Sequence, residues 1–245
     1  MAGHSKWANI RHRKGRQDAA RQKIWTKILK EITVGARLGG GDLDANPRLR
    51  LAVLKARSNS VTKNNIDSAI AKGVGGTSSD NMVELVYEGY GPGGTAFIVT
   101  TLTDNKTRTV AEVRNVFAKN SGNMGETGSV SWGFHRKGQI IIDKTLIAED
   151  ELFDIIIEAG GDDLNSEGDE FEIVCSPESF DTLTKALESK KIEMMNAEVT
   201  YIPETEVECD LATSKIILKM LEKFEDCDDV QDVYHNGQLH EDVYE

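Results

Sequence analysis

The chain has 245 residues, more than one minimal core needs and enough for two or three domains. Hydrophobic residues make up 39% and charged residues 29%, an ordinary globular balance, and the absence of any run of about 18 apolar residues argues against a helical membrane span. The net charge of −12 conceals an asymmetry: residues 1–76 hold 16 Lys+Arg against 5 Asp+Glu, a net of +11, while the other 169 hold 13 against 36, a net of −23. Such a division points to a polyanion-binding module on an acidic body. The first 14 residues carry charge but no apolar stretch, so they are not expected to form a secretory signal, and they run without a break into a patterned helix, unlike a transit peptide. Cys175, Cys209 and Cys227 are odd in number and widely spaced, which argues against a disulfide framework or a zinc site and fits a cytoplasmic protein.

In chain order, residues 1–15 contain Lys6, Arg11, Arg13 and Lys14 with no acid, and read as a mobile arm. A helix is expected over 17–38: Ile24, Ile28 and Ile32 recur every four residues, with Trp25 and Leu29 beside them, and Trp25 is assigned to the core. Three glycines at 39–41 end it. Arg16, Lys23, Lys30 and Arg37 are spaced by seven, with Lys27 a turn from Lys23, so one face carries a basic stripe. A second helix opens at Asn46-Pro47, a cap and first-turn pair, with Leu49, Ala52, Val53 and Ala56 on one face. Arg48 and Lys55 share one stripe and Arg50 and Arg57 another. A third helix is expected over 63–72, with Ile66, Ala69 and Ile70 inward and Gly73 as its stop. A small polar linker at 75–81 follows.

The period then changes. Strands are expected over 83–87 and 95–102, joined by the turn-rich Gly89-Tyr90-Gly91-Pro92-Gly93-Gly94, then a helix over 107–119 and a strand over 129–134. Elements at 139–143, 150–159, 163–167, 170–175, 178–189 and 198–202 follow in the order β-α-β-β-α-β, the ferredoxin-like pattern. A helix over 212–224 and a strand over 230–235 complete the unit that this pattern interrupts. The fold class read from this order is α+β: an N-terminal three-helix domain followed by two α+β domains, the ferredoxin-like one inserted into the middle one. The expected boundaries are 1–76, 77–134 plus 205–245, and 135–204.

Cations among which acids are scarce point to phosphate contact, because each neutralised phosphate releases counterions irrespective of base sequence, with a merely solvated helix face as the alternative. The candidates are Lys6, Arg11, Arg13, Lys14, Arg16, Lys23, Lys27, Lys30, Arg37, Arg48, Arg50, Lys55 and Arg57. Trp7 joins them as an aromatic that either stacks on an unpaired base or folds back as core. Lys106 and Arg108 open the helix at 107–119 and make a weaker anion site, which capping by Asp104 or Asn105 explains equally well. The acids at Glu222, Glu225, Asp226, Asp228, Asp229 and Asp232 read as a solvated helix end. Asp163 to Val174 fails as a calcium loop because its twelfth position is not Glu. No metal-ligand spacing, nucleophile signature or paired histidines occur, so no catalytic residue, metal or cofactor is expected.

The opening Met1-Ala2-Gly3-His4-Ser5-Lys6-Trp7-Ala8-Asn9-Ile10, followed by Arg11-His12-Arg13-Lys14, resembles the start of YebC/PmpR proteins. So do Tyr87-Glu88-Gly89-Tyr90-Gly91-Pro92-Gly93-Gly94, Leu102-Thr103-Asp104-Asn105 and Gly128-Ser129-Val130-Ser131-Trp132, and the resemblance covers essentially the whole chain. It departs at Trp25, where Phe is usual, and at Ser60 to Asn65, where the family's usual proline is missing before the third helix. The resemblance implies a helical domain plus two α+β domains, one inserted in the other. It also implies a non-enzymatic regulator of gene expression, described in the family as a DNA-binding transcriptional regulator. Relatives include mitochondrial translational activators and factors that ease ribosome stalling, so a ribosome or RNA factor in translation is the alternative. The lack of a helix-turn-helix signature, together with the arm, leans toward structured RNA. A scaffold binding acidic proteins is the reading of another class. The expected partner is nucleic acid (DNA, or ribosomal RNA and the ribosome), with no membrane and no small-molecule substrate, and the chain is expected to be a monomer.

Overall fold

The computed structural model describes residues 19–75 and 82–244, with side chains from residue 22 onward. The arm, with Lys6, Trp7, Arg11, Arg13, Lys14 and Arg16, and most of the linker lie outside the described residues. Three helices come first: α1 (Ala19–Gly39), α2 (Pro47–Ser58) and α3 (Lys63–Val74). Then follow β1 (Val83–Tyr90), β2 (Ala96–Thr103), α4 (Lys106–Lys119), β3 (Asn123–Met124) and β4 (Phe134–Asp143). Next are α5 (Glu149–Ala159), β5 (Gly161–Asn165), β6 (Glu170–Cys175), α6 (Phe180–Ser189) and β7 (Asn196–Pro203). The chain closes with β8 (Val207–Glu208), α7 (Leu211–Asp226), β9 (Val230–His235) and β10 (Gly237–Gln238). This is an α+β protein, a helical N-terminal region followed by sheet-containing domains. Two compact units form: Met1–Val34, Gly76–His135 and Ile202–Glu245 in the first, Gly35–Gly75 and Arg136–Tyr201 in the second. The helical segment is therefore shared between them.

The first unit is built on a sheet in the order β3-β1-β2-β9. β1 and β2 pair antiparallel over their full lengths, Val83 with Thr103 and Tyr90 with Ala96. In the turn between them, a Cβ on Gly91 would lie 2.4 Å from the Phe97 ring, and Gly93 takes φ +71, so both positions require glycine. Phe97, Phe117 and Phe224 meet edge to face at centroid separations of 6.1 Å and 5.3 Å, in a core with Val113, Ile217 and Met220. The strand expected at 129–134 is not formed: β4 begins only at Phe134. The main-chain N–H groups of Gly128, Val130 and Ser131 all donate to the buried Glu88 carboxylate, each at 2.8 Å. Donors engaged by a side chain are not available to a sheet ladder. The short β3 takes the place beside β1 instead.

In the second unit the sheet order is β5-β6-β4-β7, the ferredoxin-like arrangement. Ile140, Ile142, Leu152, Phe171, Ile173, Phe180 and Leu183 fill its core, and Leu51 of α2 packs against that core. Asn46 caps α2 by accepting from Leu49 N–H, while its amide nitrogen donates to the carbonyls of Gly35 and Gly40. Without a proline, α3 starts on Thr62, which accepts from Asn65 N–H. Gly73 is not the stop expected: it is buried inside α3, which runs to Val74 with Gly75 as its cap.

Candidate nucleic-acid interface

α1 buries Ile28 and Ile32 as its spacing predicts, but Ile24 is 45% exposed and Trp25 only half-buried, so the inward face is narrower than expected. The basic stripe beside it is engaged within the first unit. Lys23 Nζ lies 2.8 Å from Asp226 Oδ1, and Lys27 Nζ donates to the Glu225 carbonyl at 3.0 Å. Lys30 Nζ reaches Asp229 Oδ1 at 3.2 Å and the carbonyls of Leu102 and Asp228. These groups sit at the C-terminal end of α7, where the last carbonyls and the helix dipole favour cations. Burial pulls the Lys27 ammonium down to about 8 despite the attraction of Asp232, Cys227 and Asp228. The acids at 225–229, expected as a solvated helix end, are thus the docking site of α1.

Asp229 is the centre of this docking, 3% exposed. Its carboxylate accepts from Arg108 Nε and Nη2 at 3.1 and 2.6 Å, from Thr103 and Thr109 hydroxyls at 3.0 Å, and from Lys30. Burial pushes its pKa up, but these hydrogen bonds outweigh burial and hold it below the usual carboxylate range. Arg108 also pairs with Asp104 at 2.8 Å, and its pKa is raised, first through Asp229 and then through Asp104. Arg108 is thus engaged by the protein's own Asp229 and Asp104. Lys106 stays exposed, and Asn105 performs the capping by accepting from Arg108 N–H. The neighbouring cleft of about 750 Å³ is lined by Thr26, Lys30, Met82, Asp104, Arg108, Glu112 and Asp226 through Asp229. Five carboxylates against two cations make it unsuited to phosphate.

In the second unit Arg50 is buried, 8% exposed, and forms an ion pair with Asp181 of α6 while Nη1 donates to the Leu43 carbonyl at 2.9 Å. It joins α2 to the ferredoxin-like layer and is withdrawn from any surface. Arg37, Lys55 and Arg57 are exposed and Arg48 half-buried. Of the described candidates, Lys27, Lys30 and Arg50 have their charged ends in internal contacts, Lys23 makes a half-exposed pair with Asp226, and Arg37, Arg48, Lys55 and Arg57 lie at the surface of the second unit.

Sequence reasoning passed over Tyr90 and Trp132. The Tyr90 hydroxyl and the Trp132 indole N–H both donate to the Ser129 carbonyl, at 3.0 and 3.1 Å. The rings are nonetheless 43% and 73% exposed. Glu88 fixes the loop that carries Ser129, so the rings are held in place with their polar edges satisfied and their surfaces outward. Reading 129–134 as a strand hid this; the signal was the Gly-Ser-Val-Ser-Trp composition, richer in turn formers than a strand. Among the described residues no group of three or more His, Cys, Asp and Glu is placed to hold a metal ion, and no helix is long and apolar enough to cross a membrane.

A helical segment whose cations dock onto an acidic helix end, followed by two four-stranded sheets with their own helices, makes this an α+β protein. The chain matches the TACO1/YebC N-terminal domain over residues 5–76 and the TACO1/YebC second and third domains over 82–237. It belongs to the TACO1/YebC family. It is 49% identical over 244 residues to the "probable transcriptional regulatory protein YebC" of Salmonella arizonae, covering 99% of this chain and 98% of the relative. It is 50% identical to a "probable transcriptional regulatory protein" of Pasteurella multocida over the same shares. Among solved structures, a conserved hypothetical protein of Aquifex aeolicus superposes with a TM-score of 0.84 at 39% identity, over 97% of this chain and 98% of that one.

Proposed function

We infer that the protein is a non-catalytic regulator of gene expression that binds nucleic acid, with DNA as the partner its relatives' names favour. The observation that carries this reading is the excess of 16 cations over 5 acids in residues 1–76. Arg37, Arg48, Lys55 and Arg57, together with the cations ahead of α1, would supply the phosphate contacts.

The second reading, a ribosome or RNA factor, is favoured by Tyr90 and Trp132. Exposed rings held rigidly are stacking surfaces for unpaired bases, which structured RNA offers and duplex DNA does not. Titration of labelled duplex DNA and of a ribosomal RNA hairpin at 50–200 mM salt tests both. Phosphate contact predicts a log–log salt slope of several units, reduced on removal of residues 1–18; equal affinity and slope after that deletion would take the segment ahead of α1 out of the proposed interface. Trp132→Ala is expected to weaken hairpin binding by about 1–3 kcal/mol and leave duplex binding alone if bases stack there. Crosslinking in cells, followed by sequencing of the bound nucleic acid, separates promoter DNA from ribosomal RNA.

A further inference from the structure

We propose that the cleft between α4 and α7 in the first unit binds the phosphate backbone of a nucleic acid, a contact separate from the basic N-terminal segment. The proposal rests on the nucleic-acid reading above and adds to it a site in the part of the chain whose net charge is negative. The cleft holds about 450 Å³ and is lined by Asn115, Val116 and Lys119 with Asn120 from α4 and its end, and by Lys219 and Lys223 from α7. Lys215 lies one turn before Lys219, and Lys119, Lys215, Lys219 and Lys223 are all exposed. On α7 these lysines recur every four residues, drifting about 40° per step, so they share one side of the helix. The opposite side, with Ile217, Met220, Leu221 and Phe224, is buried in the core.

Two features set this cleft apart from an ordinary solvated helix face. Residues 77–245 carry 36 acids against 13 bases, yet no carboxylate lines the cleft. Lys119 is explained by the negative end of α4, and Lys223 is compensated in part by Asp226 at 3.2 Å; Lys219, one turn from Lys223, faces the same cavity with no carboxylate in its lining, and like charges at that spacing repel. An anion relieves the repulsion. Lysines act on phosphate as point charges and need no planar fork to hold it. Asn115 adds an amide able to donate to and accept from sugar hydroxyls or base edges. Lys223 also lies 3.2 Å from Asp226, which holds Lys23, so it links the cleft to the docking of α1.

The test is the full-length chain carrying Lys119→Gln and Lys219→Gln, which leaves Lys223 and its Asp226 contact untouched. Anisotropy titrations use a labelled single-stranded RNA and a DNA duplex at 50–200 mM KCl, with polyglutamate as an acidic-protein probe. We expect the salt slope to fall by about one to two units and affinity at low salt to fall several-fold, with unchanged thermal unfolding. The charge-conserving pair Lys119→Arg and Lys219→Arg should keep the original slope. An unaltered slope in the Gln variant, with wild-type binding intact, overturns the cleft and leaves the N-terminal interface standing. Loss of polyglutamate binding alone also overturns it, because the surface is then a protein site. Absence of any nucleic-acid binding by the wild type overturns both readings together.

Discussion

Two helices of the first unit carry lysines at near-identical spacing, and their circumstances are opposite. On α1, Lys23, Lys27 and Lys30 end on the carboxylates and carbonyls of residues 225–229. On α7, Lys219 faces a cleft without a carboxylate, in company with Lys119 and Lys223. The first set belongs to the segment with net charge +11 and is internally compensated; the second belongs to the segment with −23 and, apart from the Lys223–Asp226 contact, is displayed. Charge counted along the chain identifies a surplus, and tertiary packing decides which members of it are available. The same comparison holds for the two buried carboxylates. Asp229 is satisfied by side-chain cations and hydroxyls, whereas Glu88 is satisfied by main-chain N–H groups.

The comparison can be broken most forcefully at Asp229. Asp229→Ala leaves Lys30 and Arg108 without their shared carboxylate and should destabilise the protein by about 3–5 kcal/mol in urea unfolding. A loss below about 1 kcal/mol would mean that the docking of α1 does not depend on it. The pH dependence follows from the same group. Asp229, Asp226 and Glu88 all ionise below the usual carboxylate range in the fold, so the unfolded chain takes up protons first. Their contribution is present above about pH 4 and is lost as the pH falls below it. Asp229→Asn should flatten the acid limb of the stability curve.

Glu88→Gln removes the charge that gathers three N–H groups and should cost about 1–3 kcal/mol. It should also change the fluorescence of Trp132, whose loop it fixes; an unchanged spectrum would show that the loop holds its shape without Glu88. Lys23→Ala tests the outermost pair. Both partners are half-exposed, so a change under about 1 kcal/mol is expected. A larger effect would place Lys23 among the anchors of α1 beside Lys30.

Much of the architecture was legible in the order of elements. The switch from 3.6-residue to 2-residue periodicity after residue 82 marks the end of the helical region. The β-α-β-β-α-β succession within 135–204 foretells the sheet β5-β6-β4-β7. Local capping was legible too, at Asn46-Pro47 and at Asn105, because a cap acts within three residues of itself. The strand expected at 129–134 was not, because Glu88 lies 40 residues away from Gly128 and its carboxylate took the donors that a ladder would have used.

By itself, then, the sequence determined the fold class, the extent of most elements and the amount of charge in each segment, since periodicity and composition are properties of neighbouring residues. Only the tertiary structure decided that Lys23, Lys27 and Lys30 meet residues 225–229, that Arg50 meets Asp181, that Arg108 faces Asp229, and that lysines from α4 and α7 share a cleft. Those outcomes depend on contacts across as many as 203 positions. Coulombic and hydrogen-bond energies follow distance in space, which separation along the chain does not specify.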